Sequence, residues 1–418
     1  SQLLQQIQQL QFTERSRAES LLREFISMTF PLDVSSVKLR PQAVSLNSFN
    51  GFLELESGKQ LFFKTHTEED NQLDEYYNAS MLAEAGYPVI QPLYSSTKAG
   101  QHLLIYEVVK SPSVFDVAWD IEHGDSANLT ETLTAAQNLA DADLYSLYVN
   151  SLKTDTDTSL APIHQLFYNR LMQGRSARFY GNFVEDRGKP IELETGVYSM
   201  SEIARLKWII NGQQYNDSLS DIVTRAMELL KPIHTKVSVI GHGDAHNGNV
   251  FLISDDKNMN KASLTYFDPA FAGRHHPLLD LAKPLFHNVF AMWMYYPAAK
   301  SKVTDLTISL QDDTIIVNHN YLLHPIRHMF LQSKVNNTLV PILKQLRSWG
   351  QLREDWRNYL KSALFCCPFL TLNLADQTRF MPKIATLGLS MCIEMGAESK
   401  GTRSIIDKTL DYVTDQLA

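Results

Sequence analysis

Across 418 residues, a hydrophobic share of 44% and a charged share of 20% describe a globular chain able to bury a full core. A formal net charge of −8 argues against wholesale binding to nucleic acid or anionic membrane, though a few local donors would suffice for an anionic nucleotide. The three cysteines, Cys366, Cys367 and Cys392, have the spacing of neither a zinc knuckle nor a disulfide framework, which points to a reducing compartment.

The first residues are Gln-rich and lack the apolar core of a signal peptide. The longest apolar run, 289–299, is short of the roughly 20 residues that span a bilayer. A cytoplasmic protein is expected. Leu3, Leu4, Ile7 and Leu10, then Leu21, Leu22, Phe25 and Ile26, recur at helical spacing, so the first thirty residues predict one or two amphipathic helices, broken at Pro31. Strand periodicity follows at 44–48, 51–55 and 61–65, with turns at Asn50-Gly51 and Ser57-Gly58. A helix is predicted over 74–85, capped by Gly86, and strands over 89–94 and 102–109. Beyond Ser111-Pro112 the pattern is mainly helical, at 127–152, 163–170, 201–210, 218–234, 277–293, 340–351 and 353–364. Exceptions are β runs at 250–253 and 263–267, and a β-like excursion at 305–320. The expected class is α+β, with a β-rich N-terminal lobe over 1–110 and a larger helical lobe over 111–418.

The chemistry concentrates at 240–268. His242-Gly243-Asp244-Ala245-His246-Asn247-Gly248-Asn249 fits H-x-D-x-x-x-x-N, the spacing of a phosphoryl-transfer catalytic loop. Its Asp must reach an acceptor hydroxyl, while its Asn turns back toward a metal on the nucleotide phosphates. Glycines at 241, 243 and 248 suit so sharp a loop. The bland alternative is a polar hairpin loop, because His, Asp and Asn favour turns anyway. Downstream, Tyr266-Phe267-Asp268-Pro269 sets an Asp at the end of an apolar strand, where the second magnesium ligand would stand.

Upstream, Lys64 ends the apolar run Leu61-Phe62-Phe63. Paired with Glu75 on the next helix, or with Glu84 as competitor, it would hold the α- and β-phosphates; otherwise it is a solvated strand-end lysine. The run through Tyr106, Glu107 and Val108 would serve as the hinge whose main chain meets the adenine edge.

In this order, Lys64, Glu75, the 103–109 strand, H-G-D-x-H-x-x-N and Phe267-Asp268 resemble the aminoglycoside phosphotransferase and choline kinase-like family. Asp280, in His276-Pro277-Leu278-Leu279-Asp280, resembles that family's Asp after the metal carboxylate. The resemblance spans roughly 40–300 and is specific at 240–282. It implies a bilobal protein-kinase-like fold, ATP or GTP with Mg2+, and transfer to a hydroxyl. It also implies Asp244 as base, Asn249 and Asp268 as metal ligands, Lys64 as phosphate ligand, and His242, His246 and Asp280 in support. The stretch 47–51 lacks the glycine-rich phosphate loop, Gly243 replaces the Arg of protein kinases, and Pro-Ala follows Asp268. These departures turn the reading toward a metabolite kinase.

Arg274, His275, His276, Lys283, His287, Trp293, Tyr295 and Tyr296 are the candidates around the acceptor. A small-molecule hydroxyl acceptor, a sugar or sugar derivative first and an aminoglycoside or amino alcohol next, is expected, with no nucleic-acid or membrane partner. Competing readings are a catalytically idle nucleotide-binding regulator, a protein Ser/Thr kinase, and a metal hydrolase built on His242, Asp244 and His246.

Overall fold

A computed structural model describes residues 2–40, 48–66, 75–96, 98, 101–233, 235–255 and 258–418. The chain divides into two compact units, Ser1–Pro112 with Thr265–Ala270, and Ser113–Leu264 with Phe271–Ala418. The first is built on a sheet and the second is mostly helical, the α+β division that the hydrophobic periods predict.

In the first unit, helices α1 (Gln2–Leu10) and α2 (Arg15–Thr29) share a core with a five-stranded antiparallel sheet. The strands are β1 (Val34–Leu39), β2 (Ser48–Leu55), β3 (Gln60–His66), β4 (Tyr94–Ser96) and β5 (Leu103–Glu107), in the order β1-β2-β3-β5-β4. Leu22, Phe25 and Ile26 pack with Leu39, Phe49, Leu53, Leu61, Phe63 and Ile105, each burial contributing roughly 1.5–3 kcal/mol. Along β3, Leu61, Phe63 and Thr65 are buried while Phe62 and Lys64 stay half-exposed. That two-residue alternation puts Lys64 on the face away from the helices.

Two expectations need correction here. Asn50 and Gly51 form no turn: they sit within β2, opposite Lys64 and Phe63 of β3. Glycine is required there by crowding, since a Cβ on Gly51 would lie 2.1 Å from the carbonyl oxygen of Lys38. Nor is 89–94 a continuous strand. Val89 makes only a bridge to Tyr266, and pairing in β4 resumes at Tyr94, because Pro92 has no N–H to donate. Of the expected first strand, 44–47 lies outside the described residues. Helix α3 (Glu75–Glu84) follows.

The second unit opens with α4 (Val114–His123), capped by the Ser113 side chain, and the long α5 (Thr130–Ser151). Strands β6 (Lys153–Thr156) and Gly273–His275 flank the strand Thr235–Gly241. Helix Pro277–His287 packs on Trp356–Leu370, which packs on Pro382–Gly396; all three are buried along almost their whole length. The helix expected at 201–210 is instead one turn, Met200–Ile203, followed by the strand Lys207–Ile210. That strand turns back through Asn211-Gly212, with φ of 50° and 78°, onto Gln213–Tyr215. The excursion at 305–320 is a hairpin, Leu306–Gln311 with Thr314–His319, which joins the same sheet beside Lys207–Ile210. Helix 277–293 stops at His287 and resumes as Met292–Tyr295.

Candidate active site

The loop 241–249 leaves the strand Thr235–Gly241 and enters the strand Val250–Asp255 through a single tight turn, Asn247–Asn249. Its shape is set at Gly243. The backbone there has φ 85°, and a Cβ would lie 2.2 Å from the carbonyl oxygen of Phe271. A side chain as large as arginine has no room at this position. The Gly243 N–H donates to Oδ1 of Asp280 over 2.7 Å.

Asp280 is therefore the anchor of the loop. It sits in the first turn of Pro277–His287, where the N-terminal end of a helix favours a carboxylate. Oδ1 also meets Nε2 of His275 at 3.0 Å, and Oδ2 accepts from the Tyr148 hydroxyl on α5. Burial works against its ionisation, yet the hydrogen bond and charge of His275, with those of Tyr148 and Gly243, hold it below the usual carboxylate range.

Asp244 follows with its carboxylate largely buried, at 16% exposure. Lys283 Nζ, one helical turn beyond Asp280, lies 3.3 Å from Oδ1, and His246 Nε2 lies 3.8 Å from Oδ2. Burial pushes this carboxyl up, but Lys283, then His246, Arg170 and His242, outweigh it and bring it down to about 2. Asp244 is thus a carboxylate at any physiological pH. Its Oδ1 is buried, with the Lys283 ammonium beside it but out of hydrogen-bonding alignment, and no other donor meets it among the described residues. Asn249 Nδ2 donates to the Asp244 carbonyl over 2.8 Å, and its Oδ1 has no partner among the described residues.

The two histidines of the motif hold backbone. His242 is buried and its Nδ1 accepts from the Asp244 N–H at 3.3 Å; His246 Nδ1 accepts from the Gly248 N–H at 3.1 Å. His276 caps its helix by accepting from the Leu278 N–H at 3.1 Å, and burial holds its ring neutral, down to about 3. His287 closes the same helix, bonded to the Tyr295 hydroxyl at 2.7 Å. Burial, then the charges of Lys283, His246 and Arg170, keep its pKa far below the ordinary histidine value.

The first unit carries the other expected residues. Lys64 Nζ pairs with Oδ1 of Asp268, whose backbone stands at φ 55° immediately before Pro269. A left-handed non-glycine residue costs on the order of 1–2 kcal/mol, so the surroundings must impose it. Asn78 does part of this by donating to the Pro269 carbonyl over 3.0 Å. Asp268 Oδ2 has no partner among the described residues. Glu75 begins α3, but its side chain lies outside the described residues, so the expected pairing with Lys64 is not visible. On β5, Tyr106 is buried against Phe267 with ring centroids 5.2 Å apart, and Glu107 is exposed and paired to Lys59 at 2.9 Å. Val108 lies just past the strand.

Two contributors escaped the sequence reading. Tyr148 stands 132 residues from the carboxylate it meets, and only the fold joins them. Arg170 is the one charged residue of the short helix Tyr168–Met172, and nothing in its spacing set it apart in the sequence. Among the described residues, no three His, Cys, Asp or Glu side chains gather as a metal cluster, the set 242, 244 and 246 included.

No family model and no curated protein matches the chain. Solved structures do resemble it. A thermostable mutant of aminoglycoside phosphotransferase APH(4)-Ia, in ternary complex with AMP-PNP and hygromycin B, is 10% identical, with TM-score 0.45 over 90% of this chain and 97% of that one. The type VIII aminoglycoside-3'-phosphotransferase is 15% identical, with TM-score 0.43 over 83% and 97%. The macrolide 2'-phosphotransferase of Brachybacterium faecium is 11% identical, with TM-score 0.38 over 91% and 97%. At these values the overlap is partial, and the roles assigned below rest on this chain's own residues.

Proposed function

We propose that this chain is an ATP-dependent phosphotransferase that moves the γ-phosphoryl group to a hydroxyl of a small molecule, a sugar or sugar derivative. The observation that carries this reading is Asp244. It is largely buried, ionised, paired with Lys283 at 3.3 Å and anchored through Gly243 to Asp280. An ionised carboxylate held in place this way accepts from an alcohol O–H and can orient it for phosphoryl transfer.

In the reaction, the acceptor oxygen bonds to the γ-phosphorus while the bond from that phosphorus to the ADP oxygen breaks. The hydroxyl proton passes to Asp244 and then to solvent. With a pKa near 2, Asp244 is a weak base, so its main contribution is orientation of the hydroxyl, with proton uptake late. Lys64 would hold the nucleotide phosphates, and the main chain at Tyr106, Glu107 and Val108 the adenine edge. Asn249 and Asp268, each offering a hard oxygen of the kind magnesium takes, would be its ligands, as the sequence motif implies. That ion, when bound, neutralises phosphate charge. His242, His246 and Asp280 hold the loop. A reducing, cytoplasmic setting belongs to this reading, since ATP is abundant there and all three cysteines are free.

The test is ADP release with MgATP across a panel of sugars, amino alcohols and aminoglycosides, for the wild type and Asp244→Ala. Turnover should vanish in the variant while nucleotide still shifts its melting temperature. Undiminished turnover would remove Asp244 from the chemistry.

A further inference from the structure

Two amides of the loop 241–249 donate to side chains outside it, and both acceptors belong to one helix. The Gly243 N–H donates to Asp280, in the first turn of Pro277–His287. The Asn247 N–H donates over 2.8 Å to Oδ1 of Asn288, the residue that caps the other end of that helix. The amides of Asp244, Gly248 and Asn249 instead turn inward, onto His242 and His246 of the loop itself. An 11-residue helix thus holds the loop at each of its own ends.

Asn288 is itself fixed. It is buried, its N–H donates to the Pro284 carbonyl over 3.2 Å, and its carbonyl accepts from Nη1 of Arg327 at 3.2 Å. Arg327 is 1% exposed, and its Nε pairs at 2.9 Å with Glu122 of α4, which also pairs with Lys300. A buried charge without its partner is strongly unfavourable, so Glu122 and Arg327 lock each other and, through Arg327, the end of the helix. Asn247 in turn opens the tight turn that closes at Asn249, whose Nδ2 donates back to the Asp244 carbonyl. Displacing the Asn247 amide therefore displaces Asn249.

We propose that Asn288 is a positioning residue. Through the Asn247 amide it aims Asn249, as Asp280 aims Asp244 through the Gly243 amide, while Arg327 and Glu122 keep Asn288 in place. This rests on the phosphotransferase reading and deepens it. The two ends of one helix then serve different sides of the reaction, Asp280 the acceptor hydroxyl and Asn288 the residue that would hold the metal.

The test compares Asn288→Ala, which removes the acceptor of the Asn247 N–H, with Asn288→Asp, which keeps an oxygen there. Asn288→Leu has nearly the outline of asparagine and replaces the alanine variant if that one does not fold. In ligand-free protein, amide hydrogen exchange over 244–250 should quicken about tenfold in Asn288→Ala and stay near the wild-type rate in Asn288→Asp. Exchange over 235–241 should be unchanged in both. With MgATP and the acceptor that turns over fastest, Asn288→Ala should lower kcat about tenfold, with acceptor KM within about twofold of wild type. It should also raise the Mg2+ concentration for half-maximal rate, and Asn288→Asp should recover most of both losses. Unchanged exchange in Asn288→Ala, or quickened exchange with unchanged kcat or unchanged Mg2+ dependence, would overturn the proposal. So would an Asn288→Asp variant as impaired as Asn288→Ala. The expected exchange pattern, but with no ADP release from any acceptor by the wild type, would sustain the hold on Asn247 and count against the phosphotransferase reading alone.

Discussion

Gly243 and Asp280 are joined by a 2.7 Å hydrogen bond from backbone amide to carboxylate, and that bond decides where Asp244 points. The carboxylate also receives Tyr148 and His275, so two segments distant in sequence, α5 and 275–280, fix one loop.

Asp280→Asn places an NH2 against donors that need an acceptor. We expect kcat to fall about hundredfold from a misaimed Asp244, with KM for ATP nearly constant. Stability should drop by about 3 kcal/mol, read from urea denaturation. A variant with full kcat would show that the anchor is dispensable.

Gly243→Ala tests the loop itself. With φ at 85° and the Phe271 carbonyl 2.2 Å from the new methyl, the backbone must move. A loss of more than about 2 kcal/mol is expected, together with lost turnover, in thermal and kinetic assays.

Lys283→Met removes the strongest of the charges that lower Asp244. Its carboxyl then rises above about 2, its value beside Lys283. Because activity needs the ionised form, it is lost as pH falls through that pKa, so the acid limb of kcat/KM should move to higher pH. In a profile from about pH 3.5 to 8, the variant should show an acid limb where the wild type stays flat. An unmoved acid limb would exclude Lys283 as the cause.

His276 offers a stability test with the sign fixed in advance. Its folded pKa is depressed from 6.5 to about 3 by burial. Between those values the unfolded chain binds a proton that the native one refuses, so stability falls as pH drops through the window, by up to about 1.4 kcal/mol per pH unit. His276→Asn keeps an acceptor for the Leu278 N–H and removes the titration. Its urea midpoint should depend less steeply on pH between 4 and 6.5.

The 242–249 pattern was legible in the sequence because it fixes both identity and spacing over eight positions, and it folds as one tight loop. Its supports were not. Asp280 was visible only through a motif, and Tyr148 not at all, since a hydrogen bond between distant helices leaves no periodic trace. Local rules misled at Asn50-Gly51, where crowding between strands asks for the same residue as a turn. They were available but unused at Asn211-Gly212, a two-residue hairpin signal flanked by Trp208-Ile209-Ile210. The long helical pattern that covered 201–210 hid it.

Residues 265–270 belong with the first unit, held by the Ile90 amide on the Tyr266 carbonyl and the Tyr266 amide on the Pro88 carbonyl. During synthesis, then, the first unit must wait for more than 150 further residues before its last segment emerges. At roughly 5–20 residues per second that is a delay of about eight to thirty seconds, in which the positions that meet 265–270 stay open to solvent and to chaperones. Truncations that end before residue 265 should therefore yield a first unit that never completes, however intact its own 112 residues are.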